Sequence, residues 1–156
     1  MEIDKFRRQQ HRKFMMTHEK VIVMAIKPKY AKAIYEGKKT WEFRKNPPPL
    51  NTVIGIYESA PVSAVTGCVV FDAMVKGPAH VAYEIASSNR CYSINKPGIQ
   101  PKDLAAYLAG SKDKQVCALH VFEFKRFDTP QKLSVKPPQN WGTFYSPKEE
   151  DKGGAE

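Results

Sequence analysis

Pro28 and Gly37 bracket a segment that leaves this chain few structural choices. Proline suits the first turn of a helix, where its missing N–H has no intrahelical partner to lose, and glycine is a natural residue just past a helix end. Between them Tyr30, Ala31, Ile34 and Tyr35 recur at helical spacing, with Lys29, Lys32 and Glu36 interleaved, which predicts a basic amphipathic helix of about two to three turns. Ahead of it, Val21-Ile22-Val23-Met24-Ala25-Ile26 is an apolar, β-branched run, short enough to be a buried strand. Behind it, Thr40 to Arg44 alternates, so Trp41 and Phe43 take the core face of a strand while Thr40, Glu42 and Arg44 take the other. Asn46-Pro47-Pro48-Pro49 must end that strand.

Further strands are expected over Val53–Tyr57 and, after a turn containing Pro61, over Val65–Val75, closed by Gly77-Pro78. His80–Ser88 reads as a helix with Val81, Tyr83 and Ile85 available to the core, and Asn89–Gly98 as irregular. Pro101 at a helix start, Leu104, Ala105, Tyr107 and Leu108, with Gly110 as a stop, give a second short helix. Val116–Phe124 is a strand running into a basic end at Lys125-Arg126. Thr129–Tyr145, with Pro130 and Pro137-Pro138, is expected to cross the surface as an ordered loop, in which Trp141 and Phe144 either lid a pocket or pin the loop down. Helices alternate with strands too irregularly for a doubly wound sheet. Hairpin-like spacing over residues 40–75 favours a mixed or antiparallel one, hence an α+β domain with a curved, barrel-like sheet. The expected organisation is a basic, flexible arm over residues 1–20, one folded domain over 21–146 and a disordered tail over 147–156.

Charge narrows the function classes. The 156 residues carry a net charge of +9, a field that attracts polyanions, nucleic acid first among them. Seven Lys and Arg residues lie from Lys27 to Lys45, against only Glu36 and Glu42. Cys68, Cys91 and Cys117 form no CxxC pair, and His11, His18, His80 and His120 have no ligand spacing, so neither a disulfide framework nor a metal site is expected, and no cofactor. Cys68 and Cys117 fit as small core residues. Without an apolar run of ~20 residues or a secretory leader, the expectation is a soluble, intracellular, cytoplasmic protein with no membrane partner.

Lys39, Glu42 and Arg44 admit two readings. They form an exposed charge ladder contributing under about 1 kcal/mol, or a cleft in which Lys39 and Arg44 hold an anionic or carbonyl-bearing ligand while Glu42 orients them or accepts a ligand N–H. Tyr30, Tyr35 and Tyr57 lie near basic residues; each is a stacking platform for a base, worth about 1–3 kcal/mol, or a core residue with a wet hydroxyl. Asp72 and Glu84 are acids near element ends. No phosphate-binding glycine loop, GxSxG elbow or Cys–His pairing is present in the sequence.

Gly37-x-Lys39-x-x-Glu42-x-Arg44, preceded by the Ile26-Lys27-Pro28-Lys29-Tyr30 opening, resembles the signature of the ASCH domain, a branch of the PUA-like superfamily. The likeness continues through Tyr57-Glu58-Ser59-Ala60-Pro61, Gly67-Cys68-Val69, Gly98-Ile99 to Gly110, and Pro137-Pro138-Gln139. The resemblance implies a PUA-like, β-barrel-like mixed sheet flanked by short helices and an RNA-binding or modified-nucleobase-binding role. Carried onto this chain it makes Lys39, Glu42 and Arg44 ligand-facing, with Lys27 and Tyr57 at the rim. RNA or a modified nucleoside is the implied partner, with protein partners in transcription or translation a further reading by analogy.

Some members are enzymes, so the alternative is a hydrolase acting on RNA or on an acylated nucleoside of the N4-acetylcytidine type, with Lys39 and Glu42 catalytic. The small amidohydrolase branch uses a lysine, a threonine three residues later and a distant glutamate. Lys39 matches the lysine, Glu42 stands at the threonine position, Thr40 is not its equivalent, and Glu84 is a candidate for the glutamate. Other relatives resemble metal-dependent ribonucleases, whose ligand set this sequence does not display.

Overall fold

The computed structural model describes residues 20–88, 95–109, 115–133 and 136–145. The elements run β1 (Lys20–Ile26), α1 (Pro28–Tyr35), β2 (Trp41–Arg44), β3 (Ile54–Glu58), β4 (Ala64–Pro78), α2 (Ala79–Ser87), α3 (Pro101–Leu108), β5 (Gln115–Gln131) and β6 (Trp141–Tyr145). The strands form one mixed sheet in the order β2-β5-β4-β3-β1-β6. β1 and β3 pair in parallel, with Ile22 opposite Ile54, whereas β1/β6, β2/β5 and β3/β4 are antiparallel. This is the expected α+β, barrel-like arrangement with short helices, and the sheet is not closed. No described helix is long and apolar enough to cross a membrane.

The contacts divide the chain into two compact units. One takes Val53–Val69 and Lys125 onward together with β1; the other takes Lys27–Thr52 and Val70–Phe124. In the first, Val23, Tyr57, Val65, Cys68 and Phe127 form a buried cluster. In the second, Trp41 and Phe43 of β2 pack with Ala82 and Ala86 of α2, Leu104 and Leu108 of α3, and Val116 and Ala118 of β5. Burying side chains of this size contributes about 1.5–3 kcal/mol each, so this cluster fixes where β2 lies.

Two expectations need correction. β5 continues through Pro130 to Gln131, and residues 141–145 are a strand rather than loop. Proline is tolerated near a strand end, and Pro130 stands one residue from the end of β5, beyond the Cys117–His120 stretch that pairs with β2. Trp141-Gly142-Thr143 and the following aromatics have strand-forming character, and their pairing with Met24–Lys20 satisfies their backbone groups. Trp141 therefore belongs to an edge strand, not to a lid. The expected arm lies outside the described residues but for Lys20, which begins β1; the expected tail, Cys91 and Gly110 also lie outside them.

Candidate functional site

The polar residues singled out in the sequence are set by two short chain reversals. α1 starts at Lys27, whose carbonyl accepts the Tyr30 and Ala31 N–H groups at 3.0 Å each. It ends where Gly37 adopts φ +72°, a left-handed conformation that glycine takes without a Cβ penalty. The N–H groups of Lys38 and Lys39 then fold back onto the Ala33 carbonyl at 2.8 and 3.1 Å. That reversal directs the chain into Thr40 and β2.

Thr40 joins three pieces of chain. Its N–H donates to the Lys96 carbonyl at 2.8 Å, its carbonyl accepts from Val121 at 2.9 Å, and its hydroxyl accepts from the Lys96 N–H at 2.8 Å. One residue on, the Trp41 indole donates to Asn95 Oδ1 at 3.0 Å, and the Asn95 amide donates to the Ser88 carbonyl. Residues 95–98 are thus held along β2.

That placement buries Lys39, whose side chain is only 1% exposed. Its ammonium donates to the Pro97 carbonyl at 2.8 Å and lies 5.2 Å from the Tyr30 ring centre and 5.3 Å from that of Phe43. Cation–ring contacts of this kind contribute about 0.5–2 kcal/mol, most when desolvated. Gly98, at φ +66°, packs against the lysine stem: a Cβ there would lie 2.4 Å from Lys39 Cγ and 2.5 Å from its Cβ. The Pro97-Gly98 turn is therefore both the hydrogen-bond acceptor and the wall of the lysine slot.

Glu42 is also buried, at 6% exposure. Its Oε1 accepts the Phe43 N–H at 3.0 Å. Its Oε2 lies 4.0 Å from Arg44 Nη2, too far for a hydrogen bond, and has no hydrogen-bond partner among the described residues. An unsatisfied buried acceptor costs about 1–3 kcal/mol, so retaining one needs a reason. The exposed-ladder reading of these residues does not hold, because both faces of β2 are covered.

Burial pushes the Lys39 pKa below its ordinary 10.5; the Glu42 carboxylate opposes this and the Arg44 guanidinium reinforces it. From the lowered native value up to 10.5 the unfolded chain binds the proton that the native chain releases, so stability rises with pH across that window. Below it, both states are protonated and the burial penalty is constant. Urea unfolding followed from pH 7.5 to 10 should therefore show wild type gaining stability relative to Lys39→Met as pH rises. Parallel profiles would mean that Lys39 titrates as an ordinary lysine.

The remaining predicted residues fall elsewhere. Lys27 is exposed at the head of α1, the helix that carries Tyr30. Tyr57, expected at a rim, is 8% exposed and packed in the other unit's core, since every residue of β3 is buried. Asp72 pairs with His120 at 2.7 Å, and His120 stands edge-on to Trp41, with ring centres 5.1 Å apart. Glu84 lines a groove between α2 and α3 with His80, Tyr83 and Leu104. Cys68 and Cys117 are buried, as expected of small core residues. The sequence reading missed Pro97 and the packing role of Gly98, although Lys96-Pro97-Gly98 carries a turn signal.

A mixed, open sheet with short helices makes this an α+β fold of PUA-like type. The ASCH domain family model matches residues 24–97, so that stretch of the chain is similar to an ASCH domain. Its fold is similar to the crystal structure of ASCH from Zymomonas mobilis, with TM-score 0.66 and 25% identity over 86% of this chain and 92% of that one. A tyrosine-to-phenylalanine variant of the Zymomonas mobilis protein gives TM-score 0.65 and 25% identity, covering 88% and 97%. An "ASCH domain-containing ribonuclease" of Zymomonas mobilis subsp. mobilis is 43% identical over 60 residues, which is 37% of this chain and 40% of the relative.

Proposed function

We propose that this protein binds single-stranded RNA and receives a base at the Lys39–Glu42–Arg44 trio. The observation that carries the reading is Glu42 Oε2, a buried carboxylate oxygen without a hydrogen-bond partner among the described residues, with a guanidinium 4.0 Å away. A base N–H is a donor of the kind that oxygen lacks. The net charge of +9 and the exposed Lys27, Lys29, Lys32, Lys38, Lys45 and Lys96 supply phosphate contacts.

The two kinds of contact separate experimentally. Arg44→Ala should weaken anisotropy-measured binding of labelled single-stranded RNA by about tenfold, the size of one lost charge-assisted hydrogen bond. Lys32→Ala should instead weaken all sequences alike and lower the salt slope by about one. RNA that fails to bind at low salt, or that ignores Arg44→Ala, would rule the site out.

A second reading is favoured by the similarity to a named ribonuclease and by the depressed pKa of Lys39. Here neutral Lys39 or ionised Glu42 takes the proton of a ribose 2′-hydroxyl. That oxygen bonds to phosphorus, the 5′-oxygen leaves and is protonated from solvent, and Arg44 stabilises the added charge. The products would be a 2′,3′-cyclic phosphate and a 5′-hydroxyl end. Gel analysis of end-labelled RNA decides it: cleavage that vanishes in Lys39→Met and Glu42→Gln establishes the enzyme, and intact RNA with measurable binding leaves the binding role alone.

A further inference from the structure

We propose that Phe122 is a stacking platform for a base of single-stranded RNA; the inference rests on the RNA-binding reading above and adds a contact outside the Lys39–Glu42–Arg44 trio. Along one face of β5 the cover thins from residue to residue. Val116 and Ala118 are fully buried in the cluster with α2 and α3, and His120 stands edge-on to Trp41 with its side chain still only 12% exposed. Phe122, next on that face by strand alternation, is 64% exposed. Phe124 follows it, with its ring centre 6.3 Å from that of Tyr35 at the end of α1.

A single apolar side chain at a surface needs no explanation, but the junction at Thr40 gathers cations around this one. The Thr40 carbonyl takes the Val121 N–H at 2.9 Å, while its own N–H and hydroxyl bond the backbone of Lys96 at 2.8 Å each. Phe122, Lys38 and Lys96 therefore lie within two residues of one junction, and backbone spacing keeps each Cα within roughly 10 Å of that of Thr40. Both lysines are exposed. The Lys38 ammonium lies 3.4 Å from a Glu36 carboxylate oxygen, but side-chain exposures of 71% and 38% make this a weak surface pair with which a phosphate can compete. An open ring beside exposed ammonium groups fits a nucleotide, since every base has a π-face and every phosphate is an anion. A polyanion without rings would leave Phe122 in water, and a purely apolar partner would leave the lysines unmatched.

The test titrates the full chain against a fluorescein-labelled single-stranded RNA of mixed sequence and about 12 nucleotides, read by anisotropy. Phe122→Ala should bind about tenfold more weakly, the effect of one lost base stack. Its salt slope should stay as in wild type, because no phosphate contact goes with the ring. Phe122→Trp should keep the affinity, and Phe122→Leu, apolar but without a π-face, should not. Lys38→Ala and Lys96→Ala should each lower the salt slope by about one.

Wild-type affinity in Phe122→Ala, or in Phe122→Leu, would overturn the stacking role while leaving RNA binding intact. Self-association in sedimentation velocity that Phe122→Ala abolishes, with RNA affinity unmoved, would assign the patch to a protein contact instead. RNA that wild type does not bind at low salt would overturn the RNA reading and this inference with it. If Phe122→Ala does not fold, the comparison of Phe122→Leu with Phe122→Trp decides alone.

Discussion

Gly98→Ala should destabilise the protein by roughly 2–5 kcal/mol, combining ~1–2 kcal/mol for a left-handed backbone with ~1–3 kcal/mol for overpacking. Gly98 has φ +66°, and the added carbon would sit 2.4–2.5 Å from the Cγ and Cβ of Lys39. These atoms are near the lysine backbone, which β2 and Thr40 hold in place, so the stem cannot swing aside as a flexible tip would. The 95–98 segment must move instead, and with it the Pro97 carbonyl that accepts from the lysine ammonium at 2.8 Å. Differential scanning fluorimetry should show a fall on the order of 10 °C. If the proposed RNA-binding reading holds, RNA affinity should fall too, even where the variant is still folded. A melting temperature within 2 °C of wild type would falsify the close approach.

Trp41→Ala is expected to cost about 3–5 kcal/mol, the usual range for removing a large buried aromatic. Trp41 is 1% exposed and packs in the cluster that joins β2 to α2, α3 and β5. Trp41→Phe separates the contributions. It keeps most of the apolar volume but loses the indole donor to Asn95, leaving that amide oxygen without this partner, so about 1–2 kcal/mol is expected. Because the chain has two tryptophans, Trp41 and Trp141, unfolding should be followed by circular dichroism rather than emission. If alanine cost no more than phenylalanine, the cavity argument for this cluster would fail.

Both predictions concern residues whose local setting was partly legible in the sequence. Pro28 and Gly37 announced α1 because their backbone constraints act wherever they stand. Strand alternation placed Trp41 and Phe43 in the core correctly, since period two is a property of the strand itself. It also separated Glu42 from them, but it could not show that the second face is covered as well. Nor could it show that Pro97 and Gly98, more than fifty positions away, wall in Lys39, which no local pattern encodes. β6 was missed for the opposite reason: Pro137-Pro138 suggested loop, while strand status at 141–145 depends on β1 being there to pair.

The lysine slot also bears on how the chain folds. The bonds that close it join Thr40 to Lys96 and Lys39 to Pro97, pairs 56 and 58 residues apart in sequence. Contacts of that separation are entropically expensive to form and slow folding relative to local ones. α1 and its glycine reversal, by contrast, need only neighbouring residues. The amine of Lys39 should therefore stay hydrated while α1 takes shape, and lose its water only when the Lys96-Pro97-Gly98 turn arrives. A lysine-reactive probe applied during refolding would time the assembly of the site by the loss of labelling at this one amine.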